Sequence, residues 1–291
     1  MSNFSGDGGA DGGADGGADG GADGGADGGA DGGAGRGRPP SGLFESGFLE
    51  VTPGTSPLLL GAEFPAAAWS PSLRAQAVLA EFAAEDWRSI RPAAPNDDED
   101  QMQNEVRALL GRVKQRPGRM REILDQADAL DRYWLHMLMA GNAARPATTT
   151  LVYVGIAVGH MVGMYWKWHF RRARPVQVYP ALVPAIPTPA HASYPSNHAL
   201  QSQLVRRALD QVFEQALGNR LPALEALADR IAENREVAGV HFQSDTTGTC
   251  RFAGPLFEVL AAVQPFKELV EEAASEWKGL RLGAAPGMVE P

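Results

Sequence analysis

The most apolar window of the chain, residues 147–166, sets the strongest limit on its fold. The window is long enough to cross a bilayer, but it contains three threonines, His160 and three glycines at four-residue spacing, Gly155, Gly159 and Gly163. Residues four apart lie on one face of a helix, so these glycines predict close approach to a neighbouring helix. We therefore expect a buried core helix. Because the sequence has no second such window, it predicts no multi-span membrane protein.

Helical periodicity continues on both sides of that window. Apolar residues at spacings of three and four predict helices over 73–88, 98–115, 118–129, 130–141, 197–217, 221–233, 236–262 and 266–280. Ser72 is expected to cap the first of these, and the acidic run 97–100 suits the start of the second. The proline-rich stretch 175–195 is predicted to be a long loop. Convincing alternating strand patterns are missing, so the sequence predicts an all-α helical bundle.

The chain divides by composition near residue 40. Residues 1–40 repeat Gly-Gly-Ala-Asp and contain seven Asp against two Arg, so they have almost nothing to bury and are predicted to be a disordered tail. Residues 41–291 are predicted to form one helical domain. The chain does not start with a basic segment followed by an apolar run, so no signal peptide is expected and a cytoplasmic location is predicted.

Two compositional features exclude whole classes of function. The formal net charge is −9, with 26 Lys and Arg against 35 Asp and Glu, which excludes a general nucleic-acid-binding surface. Cys250 is the only cysteine. An internal disulfide framework and a cysteine-based zinc cluster are therefore excluded as well.

The first of three segments suited to chemistry runs from Lys167 to Pro175. Lys167 and Arg174 are seven residues apart, so they share a helix face, and Pro175 ends the helix. Two cations on one face can clamp a tetrahedral anion. Taken alone the signal is weak, because basic residues near a helix C-terminus also stabilise the helix dipole.

The second segment is a Pro-Ser-x-His turn at the start of a predicted helix. It offers the hydroxyl of Ser196, the free backbone N–H groups of a helix start and the imidazole of His198. Helix N-termini bind phosphate through such N–H groups. On this segment alone, the interpretation of Ser196 as an ordinary helix cap is favoured.

The third segment runs from Asn234 to Asp245. His241 and Asp245 are four residues apart and are expected to face each other on one helix. A carboxylate can hold an imidazole in one tautomer and raise its basicity, which leaves the other ring nitrogen free to attack. Gly239 permits close approach of the residues around it.

The three segments together resemble the superfamily of type-2 phosphatidic acid phosphatases and vanadium haloperoxidases. The family signature is K-x6-RP, PSGH and SRxxxGxHxxxD, and this chain has KWHFRRARP, PSNH and NREVAGVHFQSD. The motifs span residues 167–245, about a quarter of the chain. The family core is a helical bundle, so the resemblance implies the same fold class as the periodicity.

The resemblance also implies a role for each matching residue. His241 is implied as the nucleophile that forms a phosphohistidine, or as the ligand of vanadate in the peroxidases, with Asp245 orienting it. His198 is implied as the general acid that protonates the leaving oxygen. The groups implied to hold the non-bridging oxygens are Lys167, Arg174, Arg235, Ser196 and the backbone N–H of Asn197.

Two positions depart from the family pattern. Asn197 stands where glycine is usual, and asparagine is the next most tolerant residue if a left-handed backbone is needed there. Asn234 stands where serine is usual and is expected to cap the following helix. Four histidines outside the motif positions are interpreted as packing or surface residues, namely His136, His160, His169 and His191. Arg171 and Arg172 are interpreted as a solvated basic face.

The resulting expectation is a soluble phosphatase that needs no metal or other cofactor and acts on small phosphomonoesters through a phosphohistidine. We expect neither an integral membrane span nor a nucleic-acid partner. The alternative is a vanadium-dependent haloperoxidase with vanadate as cofactor in the same site, although the peroxidases of the family are usually longer chains. A third reading, a phosphate- or lipid-binding protein without activity, is disfavoured because binding alone needs the cations but not two histidines.

Overall fold

The structure is a computed structural model that describes residues 62–65, 68–141 and 144–279. This part of the chain contains ten α-helices and no strand, which confirms the all-α prediction for it. The predicted tail, residues 1–40, lies outside the described residues. The helices are α1 (Pro71–Ala84), α2 (Glu99–Arg112), α3 (Arg116–Asp128), α4 (Leu130–Met137), α5 (Pro146–Phe170), α6 (Pro175–Val178), α7 (Asn197–Leu217), α8 (Pro222–Val237), α9 (Gln243–Ala262) and α10 (Gln264–Ser275).

The helix ends show which local signals were decisive. α7 covers the predicted range 197–217. α1 begins two residues earlier than predicted, because Ser70 rather than Ser72 is its N-cap and Pro71 occupies the first helical position. The carboxylate of Asp98 caps α2, as the acidic run predicted.

The three glycines of α5 form its contact with α7. A Cβ atom added at Gly155 would lie 2.6 Å from Cγ2 of Val205, and one at Gly163 would lie 2.1 Å from Oδ1 of Asn197. Gly159 is equally close to the backbone of α7. The predicted close approach is therefore confirmed. It brings the start of α7, which carries the second motif, against the last turns of α5, which carry the first.

α5 is the central helix of the described core. It contacts α1, α4, α7 and α10, and Val154, Val158 and Val162 are fully buried. In the part of the chain that the structure covers, the segment Pro146–Val178 is the one helical stretch long and apolar enough to cross a membrane, and 67% of its apolar window is buried inside the protein.

The start of α5 is held by the C-terminal end of the described chain. The carboxylate of Glu276 accepts hydrogen bonds from the backbone N–H groups of Ala147 (2.8 Å) and Thr148 (3.0 Å). These are N–H groups that have no partner inside a helix, and a negative charge there also favours the helix dipole. The cap holds the helix that positions Lys167 at its opposite end.

The predicted helix over 236–262 is wrong at its start. α8 ends at Val237, the chain turns through Gly239 with φ of +79°, and α9 begins only at Gln243. A side chain is disfavoured at this φ, and a Cβ at Gly239 would also lie 2.8 Å from Nη2 of Arg116. The third motif is therefore divided between two helices and the turn that joins them.

Candidate active site

Six separate elements supply the residues of the three motifs. Lys167 lies in the last turn of α5 and Arg174 directly before α6, while Ser196 is the N-cap of α7 and Asn197 and His198 begin that helix. Arg235 lies near the end of α8, His241 in the turn, and Asp245 in the first turn of α9. All of these side chains are buried except that of His198, which is partly exposed.

His241 and Asp245 form a hydrogen-bonded pair across the start of α9. Nδ1 of His241 lies 3.1 Å from Oδ2 of Asp245, although the two residues are not on one helix as predicted. On the other side of the ring, Nη1 of Arg174 lies 3.1 Å from Nε2. A guanidinium can only donate, so Nε2 carries the lone pair and Nδ1 carries the proton. This is the tautomer in which Nε2 can act as a nucleophile.

Charge and burial keep this pair in its reactive ionisation state. Burial, followed by the positive charge of Arg174, holds the pKa of His241 well below its ordinary value. Burial alone would raise the pKa of Asp245, but hydrogen bonds from His241 and Ser193 and the charge of Arg172 hold it below its usual range. At neutral pH the pair is a neutral imidazole beside a carboxylate.

Arg172 belongs to this network, so its interpretation as part of a solvated face is wrong. Its side chain is only 4% exposed, and Nη1 donates to Oδ1 of Asp245 over 2.5 Å. The reason is the end of α5: Arg171 adopts a left-handed conformation with φ of 53° and turns the chain inward after it. Arg171 itself is exposed, as predicted.

Lys167 is occupied by backbone acceptors in this structure. Its Nζ donates to the carbonyl oxygens of Ala192 (2.7 Å) and Ser193 (2.9 Å), which uses two of its three donors. Burial and the neighbouring charge of Arg174 hold the pKa of Lys167 well below its ordinary value. Lys167 therefore ties the loop before α7 to the end of α5.

Arg174 is occupied in the same way. Nε donates to the carbonyl oxygen of His191 over 2.9 Å and Nη1 to that of Val240 over 2.6 Å. Burial lowers its pKa to about 10, which leaves it charged at neutral pH. Arg174 thus joins the loop before α7 to the turn that carries His241.

His191 also lies in the site, contrary to its interpretation as a packing or surface residue. Its Nδ1 is 3.0 Å from Nη2 of Arg174, and burial with the charges of Lys167 and Arg174 lowers its pKa to about 3. Its one sequence signal was its place in the proline-rich loop just before the second motif. His136 and His169 are exposed, and His160 is partly exposed.

Arg235 and Ser196 differ from these residues because buried donor atoms of both lack partners. Nη1 of Arg235 and Oγ of Ser196 have no hydrogen-bond partner among the described residues. Ser196 occupies the N-cap position of α7 but makes no capping hydrogen bond with its side chain. Burial, then the charge of Arg174, lowers the pKa of Arg235 to about 10. An ordinary helix cap therefore does not account for the hydroxyl of Ser196.

His198 is held at one ring nitrogen and open at the other. Its Nε2 lies 3.0 Å from the carbonyl oxygen of Gln126, near the end of α3, so Nε2 carries the proton and Nδ1 the lone pair. Burial, followed by the charge of Arg235 and then those of Lys167 and Arg174, lowers its pKa to about 3. These effects indicate that the imidazole and the three cations share one electrostatic environment.

Both departures from the family pattern have a structural explanation that differs from the expected one. Asn197 has a negative φ: in the described chain, the non-glycine residues with a positive φ are Met139 and Arg171. The side chain of Asn197 fills the space beside Gly163. Asn197 therefore stands at a position that does not need a left-handed backbone.

Asn234 does not cap a helix, because it lies inside α8. Its Nδ2 donates to Oε1 of Gln126 and to Oε2 of Glu122, both over 2.9 Å. Arg119 donates to the amide oxygen of Asn234, which fixes the orientation of that amide. Asn234 therefore supports Gln126, whose carbonyl oxygen holds His198.

Two further features lie outside this cluster. A cavity of about 490 Å³ is bordered by residues 90–96, Tyr194 and the outer side of α9. Its lining does not include Lys167, Arg174 or Arg235. Among the residues the structure covers, no group of three or more His, Cys, Asp or Glu is arranged to hold a metal ion.

Comparison with solved structures finds chains that are similar to this one. No protein-family model and no curated protein matches the chain. The chain is similar to the crystal structure of the first transmembrane PAP2 type phosphatidylglycerolphosphate phosphatase from Bacillus subtilis, at 16% identity over 73% of this chain and 99% of that one, with a TM-score of 0.40.

The predicted cytoplasmic location is wrong by these findings. The similar solved structure is that of a transmembrane enzyme, and Pro146–Val178 is long and apolar enough to cross a membrane. The expected absence of a membrane span is likewise not confirmed.

Proposed function

We propose that this chain is a phosphatase with the site of the type-2 phosphatidic acid phosphatase and haloperoxidase superfamily, and that it hydrolyses phosphomonoesters through a phosphohistidine. The observation that carries the proposal is the pair of buried donors without partners, Nη1 of Arg235 and Oγ of Ser196. A buried cation without an acceptor is costly. A bound phosphoryl group supplies the missing acceptors.

The start of α7 adds further donors for the same group. The first N–H groups of a helix have no partner within it, so those of Asn197 and His198 are available to an oxyanion. The transferring phosphoryl group is rich in negative charge, and donors positioned before it binds stabilise it without reorganisation. We assign oxyanion binding to Arg235, Ser196 and this helix start, with Lys167 and Arg174 contributing charge.

In the first step, Nε2 of His241 attacks phosphorus and the ester P–O bond breaks. Nη1 of Arg174 donates to Nε2 in the unliganded site, so it must leave the lone pair and turn to a phosphoryl oxygen when substrate binds. The carboxylate of Asp245 accepts from Nδ1–H and stabilises the positive charge that develops on the ring. The product of this step is a phosphohistidine.

His198 serves both steps as the proton carrier. Protonated on Nδ1, it donates to the leaving oxygen as the ester bond breaks; neutral again, it takes a proton from the water that attacks the phosphohistidine. The carbonyl oxygen of Gln126 keeps the other proton on Nε2 throughout. Burial and the charge of Arg235 lower its pKa to about 3, and the negative charge of a phosphate dianion raises it again by offsetting the charge of Arg235.

The test is phosphate release by the purified full chain in the presence of EDTA. The substrates are an aryl phosphate and a phospholipid monoester, since the similar solved structure is named a phosphatidylglycerolphosphate phosphatase. We expect turnover with EDTA present and its loss in His241→Ala. His136→Ala, which changes an exposed histidine, is the matched control and should leave turnover intact.

Loss of activity with EDTA, or full activity in His241→Ala, would contradict the proposal. A parallel assay supplies vanadate, peroxide and bromide with a phenol or dione dye, because the same donors also suit vanadate. Vanadate-dependent bromination without phosphate release would identify the chain as a haloperoxidase instead.

A further inference from the structure

Arg172, which lies outside the motif positions, makes contacts that the proposed chemistry does not use. Its Nε donates to Oδ1 of Asp97 (2.9 Å), and its Nη1 donates to Oγ of Ser244 (2.9 Å) and to Oδ1 of Asp245 (2.5 Å). The guanidinium also lies over the ring of Phe242, 4.6 Å from its centroid. Arg172 therefore fixes the position of a carboxylate and is itself fixed on several sides.

The two oxygens of Asp245 have separate partners. Oδ1 accepts from Arg172, while Oδ2 accepts from Nδ1 of His241, from Oγ of Ser193 and from the backbone N–H of Phe242. Rotation of the carboxylate would exchange the two oxygens and break this arrangement. A planar guanidinium held by other partners opposes that rotation, as a flexible ammonium would not.

We propose that Arg172 is a positioning residue: it holds Asp245 against His241 so that the lone pair of Nε2 faces the phosphoryl group. The proposal rests on the phosphatase function proposed above. Without Arg172 the carboxylate is less neutralised and binds the imidazolium form more strongly, so His241 takes up its proton at a higher pH.

The other charged groups around the pair allow this effect to be isolated. Lys167 and Arg174 face His241 and oppose its protonation, and both remain when Arg172 is changed. Asp97, whose side chain is exposed, is the other acid that pairs with Arg172. Burial, and then the charge of Asp245, raise the pKa of the Tyr194 phenol to about 12. None of these groups can supply the positive charge that Arg172 places next to Oδ1 of Asp245.

The experiment compares Arg172→Met and Arg172→Lys with the native chain. Two quantities are measured across pH: kcat/KM for an aryl phosphate, and the pKa of His241 from the ¹⁵N resonances of the labelled imidazoles. In Arg172→Met we expect kcat/KM to fall about 100-fold and both the acid limb and the His241 pKa to rise by about one pH unit. Arg172→Lys should restore the pKa and only part of the rate, because it keeps the charge but not the planar fork.

The matched control is Arg206→Met, which removes a partly buried arginine that pairs with Asp210 on α7. It should lower the melting temperature without moving the acid limb. An unchanged acid limb and His241 pKa in folded Arg172→Met would overturn the proposal. If the native chain releases no phosphate, the proposed function fails, while the ¹⁵N titration still tests whether Arg172 controls His241.

Discussion

The residues of the candidate site fall into two halves that are bonded differently, although every one of their side chains except that of His198 is buried. In what we term the paired half, made of Lys167, Arg174, His241 and Asp245, the polar side chains contact one another or backbone carbonyls. In the open half, made of Ser196, His198 and Arg235, donor atoms of Ser196 and Arg235 lack partners within the described chain. Equal burial therefore does not mean an equal role.

In the function that we propose, this difference separates preparation of the nucleophile from recognition of the substrate. The paired half holds the tautomer and charge state of His241 before anything binds. The open half keeps donors that gain acceptors only when an oxyanion arrives. Interactions that are stronger in the transition state than in the ground state are those that accelerate the chemical step. We therefore expect the open half to contribute more to catalysis than the paired half, and less to the stability of the fold.

The sharpest test of the comparison is to remove one arginine from each half. Arg235→Met should lower kcat/KM for an aryl phosphate by about 100- to 1,000-fold without lowering the melting temperature, because it removes a buried cation with an unpartnered donor. Arg174→Met should lower both kcat/KM and the melting temperature, because it leaves buried acceptors such as the carbonyl oxygen of Val240 without a donor. Thermal unfolding and phosphate release measure the two effects, and equal destabilisation by both changes would remove the distinction.

A smaller effect is expected when the proton carrier of the open half is removed. His198→Asn should slow hydrolysis of an alkyl phosphate by about 100-fold. The loss should be smaller for an aryl phosphate, whose leaving group needs little protonation. Steady-state kcat values for the two substrates give the ratio. Equal losses for both would show that His198 does not protonate the leaving group.

The two serines of the loop before α7 offer a matched pair with a still smaller effect. Ser196→Ala should lower kcat/KM about tenfold, since one hydroxyl hydrogen bond to a charged group contributes about 1.5 kcal/mol at the lower end of its usual range, and it should leave the melting temperature unchanged. Ser193→Ala should lower the melting temperature, because its hydroxyl donates to the buried carboxylate of Asp245. If Ser196→Ala destabilises the fold as much as Ser193→Ala, the hydroxyl of Ser196 has a structural role.

The smallest expected effect is a change in how stability depends on pH. The pKa of His198 is about 3 in the folded protein against 6.5 without perturbation. Below pH 6.5 the unfolded chain binds a proton that the folded chain does not, so this histidine lowers stability as the pH falls from about 6.5 to about 3. The melting temperature of His198→Asn should therefore fall less steeply over that range. An unchanged slope would show that His198 is protonated normally in the folded protein. His191 and His241, whose pKa values are lowered in the same direction, contribute to the slope that remains.

Much of the fold was predictable because its signals are local. The range of α7 followed from periodicity, and the close approach of a neighbouring helix to α5 followed from glycines spaced four residues apart, although the glycines did not identify that helix as α7. The start of α9 was not predictable in this way. The apolar pattern continues through residues 236–242, but the positive φ of Gly239 and the contact of that glycine with Arg116 decide the turn.

The sequence by itself determined which residue types could surround an oxyanion, because the motifs combine cations, a helix start and two histidines at set spacings. Only the tertiary structure decided which of them are already occupied. Arg174 and Arg235 are the same residue type in equally recognisable motifs, yet one meets carbonyl oxygens and the other keeps an unpartnered donor. Arg172 and His191 acquire their contacts in the same manner. Hydrogen-bond partners come from loops that are distant in sequence, and no periodicity encodes where those loops meet.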